Sequence, residues 1–447
     1  VKGRARLTAA GGAGLIGLVL VLATACTGQE SGDAQSAGGD RDGGDTVEVR
    51  ISPQDGAGQV APNTPVTIEA PDAAVTDVRI EQSGGAADGS GQDADQDAAS
   101  SGSGDGSEDG SAASEVTGTL SDDETTWVSD WNLTPGSDVT VTAAAERDDG
   151  EQTEVTSEFS TEPATEGKRL ELQSNFPTSG QSVGVGMPVI VNFDLPVENK
   201  AQVENSMEVT SETPVDGAWN WFGDETAVFR PKEYWEPYQH VTVDLRLAGV
   251  EASDGVYGIE NHRLDFDVAR EQISTIADSE HTMTVERDGE SIKTFPISNG
   301  RADVRKYTTT SGVHLTMDKH EDLVMDSSTM GIPVDSPEGY KLDVDYAVRF
   351  SNSGEFTHAA PWNGRLGQSN ESHGCTNMSD ADAKWFYDES LMGDPLVISG
   401  TDRQLEVDNG WGYWQRPWDE WMANSATGEA DTTDGEGTPG GVHAEEA

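Results

Sequence analysis

The chain has 447 residues, with 82 Asp or Glu against 27 Lys or Arg, giving a formal net charge of −55. That surplus repels nucleic-acid phosphates and anionic headgroups, so nucleic acid is excluded as a partner, while cationic or neutral partners are tolerated. The length accommodates two to four domains.

Residues 1–26 read as a secretory leader. Lys2, Arg4 and Arg6 form a basic start, an apolar run extends from Leu15 to Ala25, and Cys26 follows it. Leu22-Ala23-Thr24-Ala25-Cys26 resembles a bacterial lipobox. In that reading Cys26 becomes the first residue of the mature chain and carries acyl chains, each buried CH₂ adding about 0.8 kcal/mol to anchoring. The protein is then held to the outer face of the cell membrane, facing the wall. An ordinary signal peptide or an uncleaved anchor is the competing reading. Residues 27–45, made of Gly, Ser, Asp, Gln and Ala, bury no core and are expected to form a disordered tether.

A first β unit is expected over 46–163. Val47-Glu48-Val49-Arg50-Ile51 alternates apolar and polar residues, and Val66-Thr67-Ile68 and Val139-Thr140-Val141 repeat the pattern. Acidic Gly/Ser/Asp filler at 84–114 reads as a disordered loop within it. A second unit is expected over 164–269, with Val189-Ile190-Val191-Asn192-Phe193 as a buried strand and Val241-Thr242-Val243-Asp244-Leu245 after it. Many short strands separated by turn residues point to two tandem immunoglobulin-like sandwiches.

A third, mostly β unit is expected over 270–400. Asp288-Gly289 and Asn352-Ser353-Gly354 mark hairpins. One clear helix runs from Asp380 to about Leu391, capped by Ser379 and ended by Gly393. Residues 401–422 carry Trp411, Trp414, Trp418 and Trp421, and read as an arm packed on a neighbouring domain rather than as a ligand platform. Residues 423–447 are expected to be a disordered acidic tail. The fold class is therefore mainly β.

The chemistry converges on Ser372-His373-Gly374-Cys375-Thr376-Asn377, with His358 placed 17 positions before Cys375. Cys375 is the only cysteine after Cys26, and a lone thiol among histidines and a glycine reads as a nucleophile. A free thiol titrates near about 8.5, so it needs a base. His358 can accept the proton, and the helix starting beyond Ser379 adds a weaker dipole effect. Gly374 permits close backbone approach, and the amides around Cys375 can form an oxyanion hole. Two other readings compete: a cysteine buried as a small apolar residue, and a metal site from His358, His373 and Cys375. Polar flanks weigh against the first. The want of a second cysteine or nearby acid weighs against the second.

His358-Ala359-Ala360-Pro361-Trp362 followed by the Ser-His-Gly-Cys-x-Asn run resembles the L,D-transpeptidase catalytic domain of the YkuD type. The likeness continues upstream through Val324-Met325-Asp326-Ser327-Ser328-Thr329 and Ser336-Pro337-Glu338-Gly339-Tyr340, and downstream through Trp385-Phe386-Tyr387-Asp388. The layout is similar to the mycobacterial type, with two immunoglobulin-like domains before the catalytic domain and a Trp-containing arm after it. The resemblance implies peptidoglycan synthesis: a cysteine acyl-enzyme formed on tetrapeptide stems with loss of D-Ala, resolved by a second stem into a 3→3 cross-link. Hydrolysis or D-amino-acid exchange on the same stems is the alternative, and a non-catalytic wall-binding lipoprotein is a further one.

By the same carry-over, Cys375 is the nucleophile and His358 the base. The Ala359 carbonyl orients the imidazole, and His373, Gly374 and Cys375 line the oxyanion site. Tyr340, Met325, Trp362, Ser372 and Asn377 fall at substrate-binding positions. Donor and acceptor stem peptides are the implied partners, carbapenem β-lactams the implied inhibitors, and no metal or organic cofactor is implied. Thr376 stands where similar enzymes commonly carry an apolar residue.

Overall fold

The structure, a computed structural model, describes residues 47–85 and 116–435. The expected leader with Cys26, the tether at 27–45, nearly all of the acidic loop and the last part of the tail lie outside the described residues.

The first sandwich follows from two-residue periodicity. In the strand Ser137–Glu146, Val139, Val141, Ala143 and Ala145 are buried and the intervening residues are not. This strand pairs antiparallel with Ala74–Gly84 and with Gln152–Ser160. A second sheet runs Arg50–Ser52, Thr67–Glu69, Thr126–Ser129, Gly118–Leu120. Val66, Ile68, Trp127, Leu133 and Phe159 fill the core with the strand residues above.

In the second sandwich, Val189–Phe193 is central, paired with Leu172–Phe176 on one side and Thr226–Pro231 on the other. Its nearly unbroken burial explains its nearly unbroken apolar sequence. Trp219, Phe229, Trp235 and Phe266 pack its core. The Trp-rich arm lies against this domain: Trp411, Tyr413 and Trp421 are buried in the same core. The Arg230 guanidinium sits over Trp414 at 4.6 Å and Trp421 at 4.5 Å, and burial lowers its pKa to about 10.

The tail departs from expectation, because residues 424–435 are folded. The buried Glu204 carboxylate accepts from the amides of Ala426 (2.7 Å) and Thr427 (3.1 Å) and from the Ser425 hydroxyl (2.8 Å). Asp431–Thr432 then adds an antiparallel strand beside Asp216–Gly217. Its acidic, Gly-rich composition supplies no core of its own. The segment is held through main-chain groups by a free sheet edge, which composition does not reveal. Two short helices, Lys200–Asn205 and Trp418–Met422, were also not expected; neither is long enough to show helical periodicity.

The third domain has a five-stranded sheet in the order Glu290–Pro296, Thr282–Arg287, Gln272–Ala277, Pro395–Ser399, Gly312–Leu315. Its second sheet runs Lys319–Asp326, Lys341–Arg349, Phe356–Ala359, Thr376–Met378. The expected helix spans Asp380–Glu389, and Ala383 and Phe386 pack it onto a core with Ile276, Phe295 and Val348. The domain is fixed to the second sandwich at Gly184, where any Cβ would come within 2.3 Å of Asp394. Arg270 clamps the same Asp394 through two bonds of 2.7 Å.

Candidate active site

Phe356–Ala359 and Thr376–Met378 are adjacent parallel strands, with Thr357 opposite Thr376 and His358 opposite Asn377. This register carries the turn ending at Cys375 to the strand that bears His358. Both side chains enter one cavity of about 210 Å³, with apolar walls from Met325, Leu342 and Val344 and polar edges from Glu371, Ser372 and Asn377. Tyr340, Trp362 and His373 complete the lining, so every residue expected to bind substrate faces this cavity. Trp362 is 54% exposed and stacks on His358 at 6.2 Å, which makes it a rim residue rather than part of the core.

The imidazole is held in one tautomer. His358 Nδ1 donates to the Ala359 carbonyl at 2.7 Å, so Nε2 is left as the proton acceptor. Burial lowers its pKa to about 4. Cys375 is only 9% exposed, and burial pushes the thiol up to about 12, opposed by a hydrogen bond from the Phe356 backbone. The thiol points to the Gly354 carbonyl at 3.7 Å, and no hydrogen bond joins it to His358. Burial thus disfavours the charged form of both groups. The helix after Ser379 closes its own start, with Ser379 Oγ accepting from the Asp382 amide at 3.2 Å.

The cysteine turn depends on two glycines. Gly374 has φ +132°, a conformation costly for other residues. A Cβ on Gly300 would lie 1.9 Å from the Tyr307 carbonyl and 2.8 Å from Gly374 Cα. Ser372 Oγ accepts from the Gly374 amide at 3.1 Å and donates to the Cys375 carbonyl at 2.5 Å. The Gly374 amide is thus engaged, while that of Cys375 has no acceptor among the described residues. Of the three residues expected at the oxyanion site, Gly374 has its amide tied within the turn, and the amides of His373 and Cys375 are both available as donors. The His373 ring lies between Tyr307 (4.4 Å) and Tyr340 (5.2 Å), beside the Arg301–Glu338 pair. Among the described residues, no three His, Cys, Asp or Glu side chains converge to hold a metal ion.

Two groups behind the turn escaped the sequence reading. Thr376 Oγ1 donates to Asn299 Oδ1 at 2.8 Å, and Asn299 in turn bonds Asp278, which gives the polar residue at that position a partner. Glu355 lies between Gly354, which receives the thiol, and Phe356. It is 2% exposed and accepts from the Thr310 amide (2.8 Å) and from the Ser351 (2.6 Å) and Ser353 (3.0 Å) hydroxyls. The only sequence signal was a single acid inside a hairpin. Glu355→Gln keeps the shape but removes the charge, and is expected to lower stability by about 1–3 kcal/mol in urea unfolding; an unchanged midpoint would show that this network is not holding the turn.

A cysteine and a tautomer-locked histidine, carried on neighbouring strands and facing one lined cavity, define a thiol-dependent acyl-transfer enzyme. Residues 271–398 match the L,D-transpeptidase catalytic domain family, and residues 107–251, reaching from the first sandwich into the second, match a bacterial Ig domain family. L,D-transpeptidase 2 of Mycobacterium tuberculosis (strain CDC 1551 / Oshkosh) is 35% identical over 313 residues, covering 70% of this chain and 75% of its own length. L,D-transpeptidase 5 of Mycobacterium tuberculosis (strain ATCC 25618 / H37Rv) is 31% identical over 385 residues, covering 85% and 77%. Among solved structures, an L,D-transpeptidase in complex with imipenem shares 34% identity, with a TM-score of 0.45, over 51% of this chain and 98% of that one. The chain belongs to the L,D-transpeptidase family, whose members are peptidoglycan cross-linking enzymes.

Proposed function

We propose that Cys375 Sγ attacks the carbonyl of the third residue of a tetrapeptide stem. His358 Nε2 takes the thiol proton and returns it to the leaving nitrogen of D-alanine, so a thioester forms as the peptide bond breaks. The side-chain amine of a second stem then displaces sulfur, giving a 3→3 cross-link and restoring the thiol. The Cys375 amide is a donor to the tetrahedral oxyanion. The observation that carries this reading is the His358 tautomer: the Ala359 carbonyl fixes a bare Nε2 in the cavity that Cys375 enters. Product analysis with purified tetrapeptide stems tests it. Cross-linked dimers are expected; tripeptides alone would mean that water is the acceptor.

Carbapenems are proposed as acylating inhibitors of the same sulfur. Related enzymes have been solved with imipenem and, for L,D-transpeptidase 3 of Mycobacterium tuberculosis, with a faropenem-derived adduct. We further propose that Cys26 is lipidated and anchors the enzyme to the outer face of the membrane, on the strength of Leu22-Ala23-Thr24-Ala25-Cys26. Cys26→Ala is expected to move the protein from the membrane to the soluble fraction of expressing cells, and unchanged membrane retention would sink the anchor.

A further inference from the structure

We propose that a basic pocket beyond the catalytic cavity binds the carboxylate of a peptide stem. This deepens, and rests on, the transpeptidase reading above. The pocket has a volume of about 560 Å³ and is lined by Arg305, Lys306 and Arg403 with Thr329, Asn352 and Ser353. Three cations facing one space are conspicuous in a chain of net charge −55. Neighbouring cations are neutralised: Arg301 pairs with Glu338, Arg349 with Asp318, and Lys341 with Asp326. Arg305, Lys306 and Arg403 pair with no carboxylate among the described residues. Their contacts are instead with main chain and a ring. Arg305 Nη1 donates to the Asp402 carbonyl at 2.9 Å, Arg403 Nη1 donates to the Thr308 carbonyl at 3.4 Å, and Lys306 Nζ lies 4.8 Å from the Tyr307 ring centroid. These bonds orient the guanidinium groups without cancelling their charge. Like charges gathered without a counter-charge repel one another, and a bound anion relieves that repulsion.

The pocket is connected to the chemistry. A groove of about 250 Å³ shares Thr329, Asn352 and Ser353 with it, and shares Met325 and Tyr340 with the catalytic cavity. Gly354, whose carbonyl receives the Cys375 thiol, lines that groove. An extended peptide, at about 3.3 Å per residue, can therefore lie along the groove with one end near sulfur and a charged group in the basic pocket. Asp326, the acid of the groove, is paired with Lys341 at 3.6 Å, and this counter-charge offsets its repulsion of a bound carboxylate. Guanidinium groups suit a planar carboxylate, which they can grip through paired bonds.

The test measures binding rather than turnover, on full-length Cys375→Ser protein that cannot form the thioester. A tetrapeptide stem with free carboxylates, the same stem with its carboxylates converted to amides, and inorganic phosphate are titrated by calorimetry. The acid stem is expected to bind about tenfold more tightly than the amide. Adding Arg305→Gln and Arg403→Gln should erase that preference, while Arg305→Lys retains part of it, with unchanged melting transitions showing that the variants are folded. Equal binding of acid and amide stems, a preference that survives the double glutamine substitution, or phosphate competing as well as the stem would each overturn the proposal. Failure of the wild-type enzyme to cross-link would instead strike the transpeptidase reading, and the binding preference would still be measurable.

Discussion

Replacing Cys375 with alanine is expected to abolish cross-link formation, with a fall in kcat of roughly 10⁴-fold or more. The reason is local. The Ser372 hydroxyl in the cavity is not free to replace sulfur, since it is committed to the Gly374 amide and the Cys375 carbonyl. The fold should tolerate the change, because Cys375 packs in a small cluster with Val344, Ala347 and Phe356. The loss is expected at about 1–2 kcal/mol of stability. Assay of purified stems, beside a thermal melt of the same sample, checks both halves. A cross-linking rate near wild type in folded Cys375→Ala protein would remove sulfur from the mechanism.

The second large effect is expected at His358. Substitution by glutamine removes the proton acceptor, and acylation should slow by about 10²–10⁴-fold. The pH profile is the sharper reading. The imidazole, lowered to about 4 by burial, is neutral and competent above that value and is lost as pH falls through it. The thiol, raised to about 12, stays protonated across the working range. Wild-type acylation should therefore be flat from about pH 5 to 10, with an acid limb near 4. In His358→Gln only the thiolate fraction reacts, so the rate should climb with pH over the same range. A wild-type inflection near pH 8.5 would show instead that sulfur ionises freely before attack.

Much of this architecture was legible because it rests on local pattern. The alternation in 137–146 follows from one face of a sheet meeting a core, and the apolar run at 189–193 from a central strand buried on both sides. The catalytic turn was legible because its chemistry is concentrated in six consecutive residues. What escaped depends on contacts between distant segments. The tail strand Asp431–Thr432 pairs with residues more than two hundred positions earlier, and Gly300 is required by Gly374 and Tyr307 rather than by its own neighbours. Glu355 was one acid in a hairpin until Thr310 and two serines were seen to surround it. The setting of the thiol was not legible either: it is buried and points to the Gly354 carbonyl, which only the fold brings beside it.

Intact-protein mass spectrometry with a tetrapeptide donor and no acceptor tests the central claim most directly. The expected result is a single covalent addition equal in mass to the stem without its terminal D-alanine, located by peptide mapping at Cys375 and missing from Cys375→Ala. An addition at another residue, or release of D-alanine by folded Cys375→Ala protein, would contradict it.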